Sequence, residues 1–169
     1  MKDHVYPTVY LRQEEIDSGH VLTERSEPNA HYAWDAGVAI GRYLEELKAG
    51  RLIGRRCDLC RRVVVPPRMF CEVCFRPTDD WVALQDSGTV KTFSLCYITW
   101  DMKRLQQPQI PAVIDIDGAS KGMGIMHMLG HVEPEAVQIG MRVRAVWKPA
   151  ADRQGDITDI LYFAPMGKE

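Results

Sequence analysis

From residue 81 onward the chain alternates apolar and polar positions with a period of two, the mark of strands buried on one face. In residues 141–147, Met141, Val143, Ala145 and Trp147 are set against Arg142, Arg144 and Val146; in 112–117, Ala112, Ile114 and Ile116 are set against Val113, Asp115 and Asp117. Segments 82–98, 122–130 and 156–165 read the same way. They are broken by Asp86-Ser87-Gly88, by Asp117-Gly118 and by a short helical turn at 134–140. Five or six strands with a small helical turn late in the order predict a compact Greek-key barrel of the OB type over 81–169. An SH3-like barrel or a small sandwich satisfies the same pattern.

Upstream the period changes. Ile40, Tyr43, Leu44 and Leu47 recur at helical spacing, Asp35 is placed to cap the N-terminus and Gly50 to close the other end, so a helix is expected over 35–50. Gly37 and Gly41 each cost about 1 kcal/mol there relative to alanine. Either the first turn frays, or a partner's backbone comes close to the face carrying Ala33, Gly37 and Gly41. Residues 1–34 are polar and lack sustained periodicity, which predicts an extension that is loose or laid on another surface. Its Tyr6, Pro7, Tyr10 and Tyr32 suit partner contact, as do His4, His20 and His31.

Between helix and barrel, over 51–80, stand Cys57-Asp58-Leu59-Cys60 and Cys71-Glu72-Val73-Cys74. Two CxxC pairs facing each other close a tetrahedral shell of sulfurs suited to Zn²⁺. Between them Val63, Val64 and Val65 supply a strand, and Pro66-Pro67 forces a bend. The competing uses are a disulfide pair, a redox CxxC and an iron site; a filled four-cysteine shell favours structural zinc, with no open position for catalysis. Knuckles of this kind often place glycine after the second cysteine, where a positive φ is cheap. Arg61 and Phe75 stand there instead, which predicts strain. Cys96, in an apolar stretch, is expected to be buried and inert.

Composition narrows the function. The chain has 169 residues, 46% of them hydrophobic, and a net charge of −2 that argues against a dedicated nucleic-acid binder. No signal peptide or apolar run of about 20 residues is present, so a soluble, cytoplasmic chain is expected. Arg51, Arg55, Arg56, Arg61, Arg62 and Arg68 cluster around the first cysteine pair with Asp58 as the sole opposing charge. That patch is either a solvated ribbon surface or a site for a phosphorylated ligand or acidic partner, and Arg55, Arg56 and Arg68 are the candidates for such contacts. His127 and His131 are about 13 Å apart if they lie on a strand, too far to share a metal. Asp115 and Asp117 read as solvated carboxylates rather than an acid/base pair. Phe93, Leu95 and Tyr97 either line the barrel or form a base-stacking face, the basis of a rival nucleic-acid reading.

The helix before the ribbon, Pro66-Pro67-Arg68 between the cysteine pairs, Trp81-Val82-Ala83-Leu84, Ser87-Gly88-Thr89-Val90 and Ile139-Gly140-Met141 together carry a resemblance. Over roughly 38–165 the chain resembles the acyl-CoA-associated zinc-ribbon/OB-fold family known as domain of unknown function thirty-five. The resemblance implies a rubredoxin-like ribbon followed by an OB-fold barrel, with structural zinc on Cys57, Cys60, Cys71 and Cys74. It also implies a non-catalytic accessory role. Members form complexes with thiolase-like enzymes, or with aldolases and hydratases acting on CoA thioesters, and assist in binding or channelling the thioester. The chain's lack of GxSxG, HExxH, GxGxxG and P-loop motifs agrees with that role.

Overall fold

In the computed structural model, which describes residues 12–22, 24 and 31–167, the chain divides into two units between Trp34 and Asp35. Among the described residues the first holds one short helix, α1 (Gln13–Asp17), whose opening turn is tied by the Glu15 carboxylate accepting from the Arg12 N–H at 2.9 Å. None of its side chains is buried, and the Tyr32 and Trp34 rings lie exposed, 6.3 Å apart. His20 bonds the Ser18 hydroxyl, and His31 is exposed. The expectations placed on His4, Tyr6, Pro7 and Tyr10 lie outside the described residues.

The second unit opens with α2 (Gly37–Lys48), which turns Ala39, Tyr43 and Leu47 into the core as its spacing predicts. Its start differs from the expected cap. Ala36 is the N-cap residue, and Asp35 accepts from the Gly37 N–H at 2.9 Å, because the chain enters through Gly37 at φ +69°. Among the described residues nothing lies within 4 Å of where a Cβ would stand on Gly37 or Gly41.

Next comes an antiparallel sheet of β1 (Leu52–Cys57), β2 (Arg62–Val64) and β3 (Trp81–Leu84), in the order β2-β1-β3. The remaining strands are β4 (Ser87–Phe93), β5 (Cys96–Ile98), β6 (Arg104–Gln109), β7 (Pro111–Ile116), β8 (Gly124–Met128), β9 (Arg142–Trp147) and β10 (Ile160–Pro165). Five of them form one sheet in the order β10-β9-β4-β7-β8, and a parallel bridge from Leu129 to Phe163 joins its edges. The result is a closed five-stranded OB-fold barrel. Alternation places Ala112, Ile114, Ile116, Val143 and Ala145 inside it, around a fully buried Phe163. Gly88 and Gly124 lie against β7 so closely that a Cβ would collide with the carbonyl oxygens of Asp115 and Ile114. A short 3-10 turn, Pro134–Ala136, sits where the helical turn was expected.

Two expectations are corrected, and one strand is added to those expected. The polar segment that forms β6 gives no periodic signal, yet it pairs with β5 as a two-stranded hairpin apart from the barrel sheet. Leaving the barrel ends the inward alternation: Phe93 still packs on the core, but Leu95 and Tyr97 are exposed and Cys96 is half-buried rather than enclosed. Asp115 and Asp117 are not simply solvated. Asp115 pairs with Lys91 at 3.4 Å, while Asp117 takes both Nη atoms of Arg142 and the Ser87 hydroxyl, the latter at 2.5 Å.

Hydrogen bonds from Arg142 outweigh partial burial and, with help from Ser87, hold the Asp117 carboxyl below the usual carboxylate range. A depressed folded-state value contributes stability that is present above about pH 4 and is lost as the pH falls through that folded value. Asp117→Asn is therefore expected to lower neutral-pH stability by about 1–3 kcal/mol. It should also flatten the acid limb of a urea-midpoint-against-pH curve; an unchanged acid limb would count against the clamp.

Candidate metal centre

The first knuckle grows out of β1, whose last residue is Cys57, and returns through Cys60 and Arg61 into β2. The second is closed by the Phe75 N–H donating to the Cys71 carbonyl and the Cys71 N–H donating to the Arg76 carbonyl, both at 2.9 Å. The residues after each pair, Arg61 and Phe75, have φ of +53° and +57°. The backbone adopts the left-handed turn glycine would favour, without the glycine.

The four sulfurs of Cys57, Cys60, Cys71 and Cys74 lie within 4.8 Å of one another, and Cys57 Sγ is 3.7 Å from Cys74 Sγ. Zn–S bonds of about 2.3 Å arranged tetrahedrally require sulfurs about 3.8 Å apart. The donor set therefore fits a zinc-sized cation without moving the backbone. Cys57 and Cys71 are buried, and Cys60 and Cys74 are half-buried. All four are free thiols, so neither pair is a disulfide. Without a cation, hydrogen bonds from Cys74 and burial push the Cys60 thiol up to about 12, while the backbone N–H groups of Cys74 and Val73 bring Cys71 down to about 7. A divalent cation bound among these sulfurs would take the place of their protons and turn the same crowding into coordination.

The arginines around this centre are less free than their spacing in the sequence implies. Arg55 is buried: its Nε donates to the Thr78 hydroxyl at 2.8 Å, its Nη2 donates to the Thr78 and Asp79 carbonyls, and its guanidinium stacks 4.7 Å from the Trp81 ring centroid. It holds the ribbon together and has no face left for a ligand. Arg56 is divided between Asp58 and Asp80, each at 2.6 Å. Arg51 pairs with Glu46 at 2.6 Å and Arg62 with Glu72 at 2.8 Å, so folding supplies carboxylates from just outside the arginine-rich stretch 51–68. Arg68 is exposed; its carbonyl accepts from the Thr78 hydroxyl at 2.7 Å, and, after the Glu72 backbone N–H and the charge of Arg62, its own charge helps hold the Glu72 carboxyl below the usual carboxylate range.

Trp81 was read only as a family marker, yet it is a structural junction. Arg42 of α2 stacks on it at 4.5 Å as well as Arg55 of β1, and beside it runs an open groove of about 570 Å³ lined in part by Glu46, Arg51, Asp86 and Arg144. Nothing local in the sequence marks this. The histidines play minor parts: His127 Nε2 lies 3.1 Å from the Ile157 carbonyl, and His131 stacks on Tyr162. Among the described residues no helix is long and apolar enough to cross a membrane.

The chain matches known proteins along most of the second unit. Residues 44–80 match the rubredoxin-like zinc ribbon domain of ChsH2, and residues 81–148 match its C-terminal OB-fold domain. A DUF35 domain-containing scaffold protein of Methanocaldococcus jannaschii is 34% identical over 98 residues, which is 57% of this chain and 67% of the relative. A probable enoyl-CoA hydratase alpha subunit of Thermomonospora curvata is 27% identical over 108 residues, 64% of this chain and 33% of that longer protein. Among solved structures, a DUF35 family protein of unknown function from Sulfolobus solfataricus superposes with a TM-score of 0.56 at 26% identity, covering 65% of this chain and 78% of the other. The Ltp2-ChsH2(DUF35) aldolase shares the fold, with a TM-score of 0.55 at 21% identity, covering 82% and 98%.

A non-glycine residue held in the left-handed region costs about 1–2 kcal/mol. Arg61→Gly is expected to remove much of that cost and raise the urea midpoint, with the sulfur cluster unchanged. A lower midpoint would show that the Arg61 side chain repays its backbone through contacts.

Proposed function

Because the chain belongs to the DUF35 family of joined zinc-ribbon and OB-fold domains, we propose that it is an accessory scaffold subunit of an enzyme acting on CoA thioesters. In this reading Cys57, Cys60, Cys71 and Cys74 hold one structural zinc ion. The chemistry belongs to another chain. The observation that carries the reading is the 34% identity to a scaffold protein across 67% of that relative's length, in a chain whose residues 44–80 and 81–148 match a zinc ribbon and an OB-fold domain.

We take the catalytic partner to be a thiolase-superfamily enzyme. The length and N-terminal extension of the chain resemble the small subunit of the benzoylsuccinyl-CoA thiolase of anaerobic toluene breakdown, which supplies a concrete form of this proposal. A second form is an aldolase or hydratase partner. It is favoured by two relatives, one a probable enoyl-CoA hydratase alpha subunit and the other part of an aldolase complex. In either form, the surfaces offered to the partner are α2, the ribbon and the N-terminal extension, and Arg68 is the exposed guanidinium left for a CoA phosphate or an acidic side chain. The rival nucleic-acid reading loses support from the ion pairs of Arg51, Arg56 and Arg62, which neutralise half of the six-arginine cluster.

Co-expression with a thiolase-like or other acyl-CoA enzyme encoded beside this chain, followed by size exclusion, is expected to give one complex whose activity requires both chains. A monomer that is active alone, or that shifts DNA, would sink the scaffold reading. For the metal, elemental analysis should find one zinc per chain, and Cys57→Ser should lose both the zinc and the ribbon's resistance to proteolysis. Full zinc occupancy in that variant would contradict the ligand set.

A further inference from the structure

The ribbon exposes apolar surface that its own folding does not use. Leu59, Met69, Phe70, Val73 and Phe75 are all exposed, Leu59 at 63% and Phe75 at 81%. They belong to one end of the ribbon. The sulfurs lie within 4.8 Å of one another, so the two knuckles abut; Leu59 and Val73 hold the same place in each, one residue before the second cysteine. Phe75 follows directly in its own knuckle, and Phe70 bridges to Pro77 across the base of that turn.

Phe75 is the most telling of these residues. At φ +57° the backbone prefers glycine, and at 81% exposure the ring gains little from burial. The residue thus costs stability through its conformation and recovers little of it through packing. A large apolar side chain held outward at that cost points to something outside the chain that covers it.

The charges around this end indicate what covers it. Arg61, Arg68 and Arg76 are exposed, and among the described residues none has a carboxylate within ion-pair distance, unlike Arg51, Arg56 and Arg62. Apolar side chains mixed with unpaired arginines are the composition of a protein-binding hot spot. A second copy meeting the same face about a two-fold axis would oppose arginines to arginines. The ribbon also lacks the unbroken basic surface that anionic lipid selects, since Asp58 and Asp80 share Arg56 and Asp79 takes the Asp58 N–H between them.

We propose that the knuckle face, centred on Phe75 and ringed by Arg61, Arg68 and Arg76, docks in an apolar pocket rimmed by carboxylates on the catalytic subunit. This rests on the accessory-subunit reading above and specifies where that partner is gripped. Phe75 fills the pocket; the arginines pair with its rim.

The test compares wild type with Phe75→Gly and, separately, Arg68→Glu, each co-expressed with the catalytic subunit and then titrated against it. Phe75→Gly relieves the backbone, so zinc content and urea midpoint should be kept or raised while affinity for the partner falls at least tenfold. Arg68→Glu should weaken the complex and remove part of its salt dependence, with zinc retained. If wild type forms the complex and both variants bind as tightly, the docking site is wrong and the accessory reading stands; if wild type forms no complex, both fall. Self-association that Phe75→Gly abolishes would overturn the proposal in favour of a second copy. Binding to phosphatidylserine/phosphatidylcholine vesicles that the same variant abolishes would overturn it in favour of a membrane.

Discussion

The second unit is organised by β1, a six-residue strand that belongs to two structures at once. At its start Leu52 and Ile53 enter the core shared with the barrel; at its end Cys57 enters the sulfur cluster. Between those ends it pairs with β2 of the ribbon on one side and with β3, the approach to the barrel, on the other. Backbone hydrogen bonds in a ladder leave little rotational freedom between the modules they join. The ribbon is therefore fixed to the barrel through the same strand that supplies its first metal-ligating residue. Further ties reinforce the join: Arg42 and Arg55 both stack on Trp81, and Val63 exchanges hydrogen bonds with Ser120 in the turn between β7 and β8, each at 2.9 Å. Arginine suits the Trp81 junction better than lysine would, because a planar guanidinium lies flat on an indole while its edges still donate, as Arg55 does to Thr78.

How much of this can be read from the chain depends on whether a position's partner is near in sequence. The barrel strands are legible because each carries its own inside and outside, as in Ala112, Ile114 and Ile116 against their polar neighbours. The metal centre is legible because each cysteine pair is a local motif and two local motifs suffice. The strand β6 is not legible, since a polar hairpin standing away from the core has no face to bury and leaves no period. The charge pattern is misleading for a related reason. Arg62 finds Glu72 across the ribbon and Arg51 finds Glu46 at the end of α2, so a cluster that reads as basic along the chain is largely neutral in space. The fate of Arg55 was hidden in the same way, because Thr78 and Trp81 are brought to it only by the second knuckle and β3.

The knuckles also show what a metal staple does to the residues around it. A module of about thirty residues cannot bury enough apolar area to hold itself together; Leu52 and Ile53 pack into the core shared with the barrel, and the other apolar side chains the ribbon buries are those of Val64, Val65, Pro67 and two of its cysteines. With the zinc ion proposed for it, cross-linking replaces the missing core. Side chains near the sulfurs are then released from packing, and Leu59, Val73 and Phe75 face outward without unfolding the turn that carries them. In a module held by a hydrophobic core the same residues would be drawn inward, and a phenylalanine at positive φ would be hard to sustain. Stability that comes from four sulfurs rather than from apolar contact thus leaves the ribbon's apolar surface available for contact with another chain, while the barrel, whose strands hide their apolar face from one another, keeps the ribbon in place.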